Sequence, residues 1–156
     1  MPKRLLVVFQ VLLAVIYFSS GFSKLFHWFP NIIGPIWLIE ELAKYNLGLF
    51  GYFIAVSQAI VGFFLFFPKL RLVASIMLLP MHLCITVIPI SLGWRGTPYV
   101  NIVLLLMILA LLYSEKSKLM QLLGDGESGS LGNSKAVYWT SFALFWIAAF
   151  VLKYGT

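Results

Sequence analysis

Charge is what this chain most lacks. Only 10% of its 156 residues are Asp, Glu, Lys or Arg, against 62% hydrophobic and 17% aromatic, whereas a soluble domain carries about 25% charged residues. The mean hydropathy is +0.99. Too few charged side chains exist to cover a globule, so most of the exterior must face a medium as apolar as the interior, which is lipid. The same composition excludes disorder, which needs few apolar residues and high charge. A single cysteine, Cys84, excludes a disulfide scaffold and leaves thiol–quinone exchange without its cysteine pair. The net charge of +6 would suggest nucleic acid in a soluble protein. Here the bases sit singly between apolar runs, so membrane orientation accounts for them and no nucleic-acid partner is expected.

Carboxylates are scarcer still: five in all, and none inside a long apolar run, which removes the usual proton-relay element of pumps. No phosphate-cradling glycine motif is present. Glu40 and Glu41 are neighbours that point apart on a helix, so paired acids for hydrolysis are missing too. His27 falls beyond a helix end and His82 near mid-bilayer, about half of a ~30 Å core apart, which argues against bis-histidine haem. Nothing nominates a self-contained enzyme: no catalytic residue, metal site or intrinsic cofactor is assigned, and a bound quinone or lipid is the ligand left open.

What the chain does have is long hydrophobic runs. A spanning helix needs about 20 mostly apolar residues, and the runs 5–22, 47–67, 72–90 and 98–113 meet or approach that length without an acid or base. The first follows Lys3 and Arg4 as a signal peptide would. It exceeds the ~7–15 residues of a typical signal core and no small-x-small site follows, so it is read as a retained anchor. A fifth run, Val137 to Leu152, is short at 16 residues and is read as an appended spanning helix with aromatic anchors at Tyr138, Trp139 and Tyr154, a peripheral interfacial helix being the alternative. The expected fold is therefore all-α: a four-helix transmembrane bundle over 1–123, a flexible Gly/Ser linker over 124–136, and a fifth helix over 137–156. The segment 23–46 is too aromatic to float in water. It is expected in the outer interface, with a helix starting at Pro35 after Gly34, ending near Asn46, and pairing Glu40 with Lys44.

Basic residues set the orientation. With the N-terminus cytoplasmic, seven bases lie inside (Lys3, Arg4, Lys69, Arg71, Lys116, Lys118, Lys135) and four outside (Lys24, Lys44, Arg95, Lys153), which favours that topology and puts the C-terminus outside an inner (plasma) membrane.

Polar residues within the runs mark inward faces. Gln10, Ala14, Tyr17, Gly21 and Lys24 form one stripe in the first run. Gly48, Gly51, Ala55, Gln58 and Gly62 form a small-residue stripe in the second, Ser75, His82 and Thr86 share a face of the third, and Asn101 lies near the outer end of the fourth. The candidate ligand-binding set is Gln10, Tyr17, Lys24, Gln58, His82, Thr86 and Asn101. Each also has a structural reading: interhelical hydrogen bonding for the amides and hydroxyls, a neutral core imidazole for His82, and snorkelling for Lys24.

The opening VFQVLLAVIYFSSGFSKLF, with Gly21, Lys24 and Leu25 in a G-x-x-K-L signature, resembles the first helix of DoxX-like membrane proteins. VSQAIVGFFLFFPKLRLVASIML, with Gly62 and Arg71, resembles that family's second helix, basic turn and third helix; GTPYVNIVLLLMILALLYS, with Pro98 and Asn101, resembles its fourth. The likeness covers residues 5–115. It implies a four-helix inner-membrane protein, some relatives being small subunits of quinone-linked or other redox systems. Two departures stand out: Gln58 where many relatives carry glutamate, and the appended fifth helix. Three readings of function follow. The first is a noncatalytic subunit or assembly partner of a larger, redox-linked membrane complex, with membrane lipid and other membrane subunits as partners. The second is a binding or transport protein for a lipid, quinone or other amphipathic molecule, and the third a quinone-linked oxidoreductase subunit whose redox centres lie on a partner.

The topology is open to direct test by thiol labelling of single-cysteine variants from either side of the membrane. Cysteines at Lys116 and Ser128 are expected to label from the cytoplasm, and those at Ser91 and Gly155 from outside. Labelling of positions 128 and 155 from one side would show that the fifth run does not cross.

Overall fold

A computed structural model of the chain describes residues 2–124 and 135–154, and every regular element among them is helical. These are α1 (Lys3–Leu25), α2 (Leu38–Ala43), α3 (Gly48–Leu65), α4 (Arg71–Ser91, entered through a 3-10 turn at Pro68–Leu70), α5 (Thr97–Ser114), α6 (Lys116–Gly124) and α7 (Lys135–Tyr154). The chain divides into two compact units, Met1–Leu119 and Met120–Thr156. Of the linker read at 124–136, residues 125–134 lie outside the described residues.

Four helices are long and apolar enough to cross a bilayer: α1, α3, α4 with its entry turn, and α5. The second unit holds α7, whose apolar stretch, Trp139–Val151, is shorter than any of these. α1 runs on to Leu25 rather than stopping at 22, because the polar side chains of its last turn bond back onto the helix. Ser23 Oγ donates to Ser20 O at 3.2 Å and Lys24 Nζ to the same carbonyl at 2.9 Å. α6 had no counterpart among the expected elements; it follows α5 after a break at Glu115, whose carbonyl accepts from Leu119 N at 3.0 Å.

α1 packs on α3, α3 on α4, α4 on α5 and α5 back on α1, closing a ring in which α1 and α4 stand on a diagonal. Gln10 meets Leu65 and Gly21 meets Ala59, so α1 and α3 are antiparallel. Leu13, Tyr17, Leu65, Leu78, Ile108 and Leu111 fill the centre. The α1–α3 seam is closer than side-chain packing permits. A Cβ on Gly21 would lie 2.6 Å from Ala55 O, and one on Gly62 would lie 2.7 Å from Phe18 Cα. Small residues on both helices, including the fully buried Ala14 and Ala55, let the backbones touch.

Between α1 and α3 the chain folds back over one end of the ring. Turns at 36–37 delay α2 to Leu38, later than the start expected at Pro35. Asn46 adopts φ 60°, and Leu47 N donates to Leu42 O at 2.9 Å, a left-handed helix stop at the place expected. Lys44 pairs with Glu41 at 2.6 Å rather than with Glu40, which turns instead to His27 at 3.9 Å. The Glu41 hydrogen bond holds the Lys44 ammonium above its ordinary pKa.

Alanine at Gly21 or Gly62 has only backbone to displace, so each variant should lose about 1–3 kcal/mol of stability in denaturant titration of the detergent-solubilised protein. Gly48→Ala is the control, its nearest neighbour being Ala43 Cβ at an ordinary 3.4 Å. Equal stability of Gly62→Ala and Gly48→Ala would refute the close seam.

Candidate functional site

The polar residues of the bundle sort into three tiers along its axis. At the Arg71 end, Gln10 Nε2 donates to Leu65 O at 2.7 Å, satisfying the last carbonyl of α3. Its Oε1 accepts from Arg71 Nε at 2.6 Å. Arg71 also reaches Glu115 Oε1 at 3.3 Å, and Lys118 holds Glu115 Oε2 at 2.8 Å. This chain ties α1, α3, α4 and α6 together and uses every polar atom of Gln10 for structure.

In the middle tier Tyr17 Oη bonds His82 Nδ1 across the diagonal of the ring. His82 Nε2 faces Asn101 O at 2.8 Å. A carbonyl can only accept, so Nε2 carries the proton and Nδ1 receives the tyrosine hydroxyl: a neutral imidazole used at both nitrogens. Thr86 Oγ1 donates to His82 O at 2.8 Å. Pro89, inside α4, cannot donate to Ile85 O; the side-chain amide of Asn101 takes that carbonyl at 3.3 Å. His82, Thr86 and the Asn101 side-chain NH₂ are thus engaged with protein. Ser75, on the same face of α4, has a buried Oγ without a partner.

The third tier, at the Trp94 end, is different. Ser19 Oγ donates to Pro30 O at 2.6 Å and accepts from Ile32 N at 3.2 Å, while Asn31 Nδ2 donates to Gly34 O at 2.7 Å. These bonds pin the returning segment onto the end of α1. Gly34 has φ +111°, and a Cβ there would stand 3.0 Å from Ser20 Oγ and 3.6 Å from Lys24 Nζ, so only glycine closes over this spot. Beneath it is a cavity of ≈ 40 Å³ lined by Tyr17, Ser20, Lys24, Gly34, Gln58 and Trp94 among apolar side chains of α1, α4 and α5, Gln58 being the one contribution of α3. Lys24 is 3% exposed. Its ammonium donates to Ser20 O and, at 2.6 Å, to Ser20 Oγ, and among the described residues no carboxylate lies within ion-pair distance of it. Gln58 is 4% exposed and its Oε1 has no partner.

Of the seven candidate residues, the structure brings Tyr17, Lys24 and Gln58 to this cavity. It binds His82, Thr86 and Asn101 into the adjoining tier and sets Gln10 at the opposite end. Ser19, Ser20, Gly34 and Trp94 belong to the site without having been singled out as candidates. The consecutive Ser19-Ser20 pair at the end of an apolar run was the available signal. Among the described residues no group of three or more His, Cys, Asp or Glu is placed to hold a metal. Compared with protein-family models, curated proteins and solved structures, the chain matches none.

Replacing His82 by leucine strands the Tyr17 hydroxyl in an apolar centre, while removing both partners does not. A double-mutant cycle of Tyr17→Phe and His82→Leu should therefore give a coupling of about 0.6–1.7 kcal/mol, the range found for hydrogen bonds between membrane helices, read by denaturant titration. Additive effects would mean the bond does not form.

Proposed function

We propose that this is a noncatalytic multi-pass inner-membrane protein that binds a small amphipathic molecule at the Trp94 end of its bundle. The observation that carries the reading is Gln58: a buried side-chain amide oxygen with no protein partner, facing a cavity that also holds a buried ammonium. An unpaired buried polar group costs about 1–3 kcal/mol, a cost that nothing in the packing of α3 requires. A ligand supplying the missing bond removes it. Every other amide in the long helices is engaged by protein, so the contrast is local. The lipid or quinone expected from the sequence fits the site's mixture of few polar groups and an apolar wall.

The N-terminus is cytoplasmic in this reading, which sets the Trp94 end toward the outside. The likeness to DoxX-like proteins in Gly21, Lys24, Leu25, Gly62, Arg71, Pro98 and Asn101 accords with it. α7 favours a second role: a helix with an apolar stretch over Trp139–Val151, in the second unit, suits docking against a further membrane subunit, as the appended span of a small complex component would.

Gentle purification followed by native mass spectrometry separates the two. The parent chain should retain a small molecule in stoichiometric amount, and Gln58→Leu should lose it while melting at or above the parent temperature, since the substitution removes an unsatisfied polar group. A parent chain that carries only protein partners and no small molecule would overturn the binding reading and leave the subunit reading in place.

A further inference from the structure

Resting on the binding reading, we infer that the ligand is an amphipathic monocarboxylate, whose head group sits on Lys24 and Gln58 and whose tail runs toward the recess lined by Gly34, Pro35, Trp94 and Thr97.

The chemistry of the head group follows from what the cavity lacks. An ammonium has three donors; Ser20 occupies two of those on Lys24 with neutral oxygens, leaving one N–H and the whole positive charge unanswered. A buried charge without a counter-ion is costly, and an anion is the species that relieves it. The Gln58 amide is the second contact. It makes no hydrogen bond to protein, so the amide can turn to put its NH₂ in the enclosed place of the unpartnered Oε1, where it donates to the same acceptor as Lys24. Two convergent donors and one charge call for two acceptor atoms carrying one negative charge, which is a carboxylate. Size agrees. A water needs about 10–15 Å³ of such space, so ≈ 40 Å³ has room for the three heavy atoms of a carboxyl group. The remaining wall, Ile85, Ile88, Pro89 and Leu104 among it, offers a carbon chain nothing polar.

The path out is also on view. Gly34, Pro35, Trp94 and Thr97 line both this cavity and a wider recess of ≈ 470 Å³ that Trp37 and Arg95 complete. The two indoles meet edge to face at 4.9 Å beside the exposed Arg95, whose charge draws anions to the opening.

The test is saturable binding of radiolabelled dodecanoate to the full chain in uncharged detergent, with unlabelled competitors. Dodecanoate should bind one per chain and be displaced by octanoate, but not by dodecanol or dodecyl phosphate. Lys24→Met should weaken binding by about tenfold or more, the loss of one charged hydrogen bond, while melting no lower than the parent. Equal displacement by dodecanol, or unchanged affinity in a folded Lys24→Met chain, would overturn the charge assignment and leave the small molecule retained by Gln58 unexplained but real. Displacement by dodecyl phosphate would overturn the carboxylate, and the absence of saturable dodecanoate binding would overturn the inference altogether. Should Lys24→Met fail to fold, the competition series on the parent chain decides the same question unaided.

Discussion

Backbone contact between α1 and α3 is the constraint on which the rest of the bundle depends. At Gly21 and Gly62 no side chain separates the helices, and this closeness brings α3's Gln58 and α1's Tyr17 and Lys24 to one cavity. Because the two helices are antiparallel, the same seam also carries Gln10 to the C-terminal carbonyl of α3. In an apolar medium there is no hydrophobic force to draw helices together, so close van der Waals packing and interhelical hydrogen bonds do that work. Here the seam supplies the packing and the diagonal tiers supply the bonds.

The polar tiers show how few polar atoms such a bundle leaves idle. Gln10, Arg71 and Glu115 close one end, with Arg71 and Glu115 side chains 18% and 15% exposed. Tyr17, His82 and Asn101 cross the middle. Asn101 answers a vacancy that Pro89 creates in α4, a local defect repaired from a neighbouring helix. Against that background Gln58 and Lys24 are exceptions of the same kind at the same place: one amide with no partner, one cation with no anion. A structural role explains neither, since a leucine and a methionine of similar volume would fill the space at lower cost. Sites that sacrifice stability in this way are where function is expected.

The cavity depends equally on the segment that covers it. Residues 26–37 have little regular structure, yet Ser19, Ser23 and Asn31 hold them against α1, and Gly34 supplies the one backbone conformation that passes over Ser20 and Lys24. Trp94 packs against Trp37 from the loop between α4 and α5. The mouth is thus built from two loops resting on four rigid helices, a division in which the helices set the depth of the site and the loops its access.

How much of this was legible in the sequence differs from residue to residue. The four long helices were, because a run of apolar residues has one stable form in lipid, and their bounds moved by only a few residues. The inward faces of α1 and α3 were legible as well, since 3.6-residue periodicity puts Gln10, Tyr17, Gly21 and Lys24 on one stripe. Depth was not. Gln10 and Lys24 stand about 21 Å apart along the axis at 1.5 Å per residue, so one stripe serves three separate tiers, and the partner at each level comes from a helix whose register the sequence does not state. The Glu40–Lys44 pairing failed for a related reason: α2 ends at Ala43, and Lys44 lies nearer Glu41. Composition and periodicity determined which helices are long and apolar enough to span and which faces turn inward, because these rest on local chain properties. Which polar atoms find partners, and that among the described residues Lys24 finds no carboxylate and Gln58 Oε1 no donor, was decided only when antiparallel packing brought residues 34 to 41 positions apart in sequence to a common cavity.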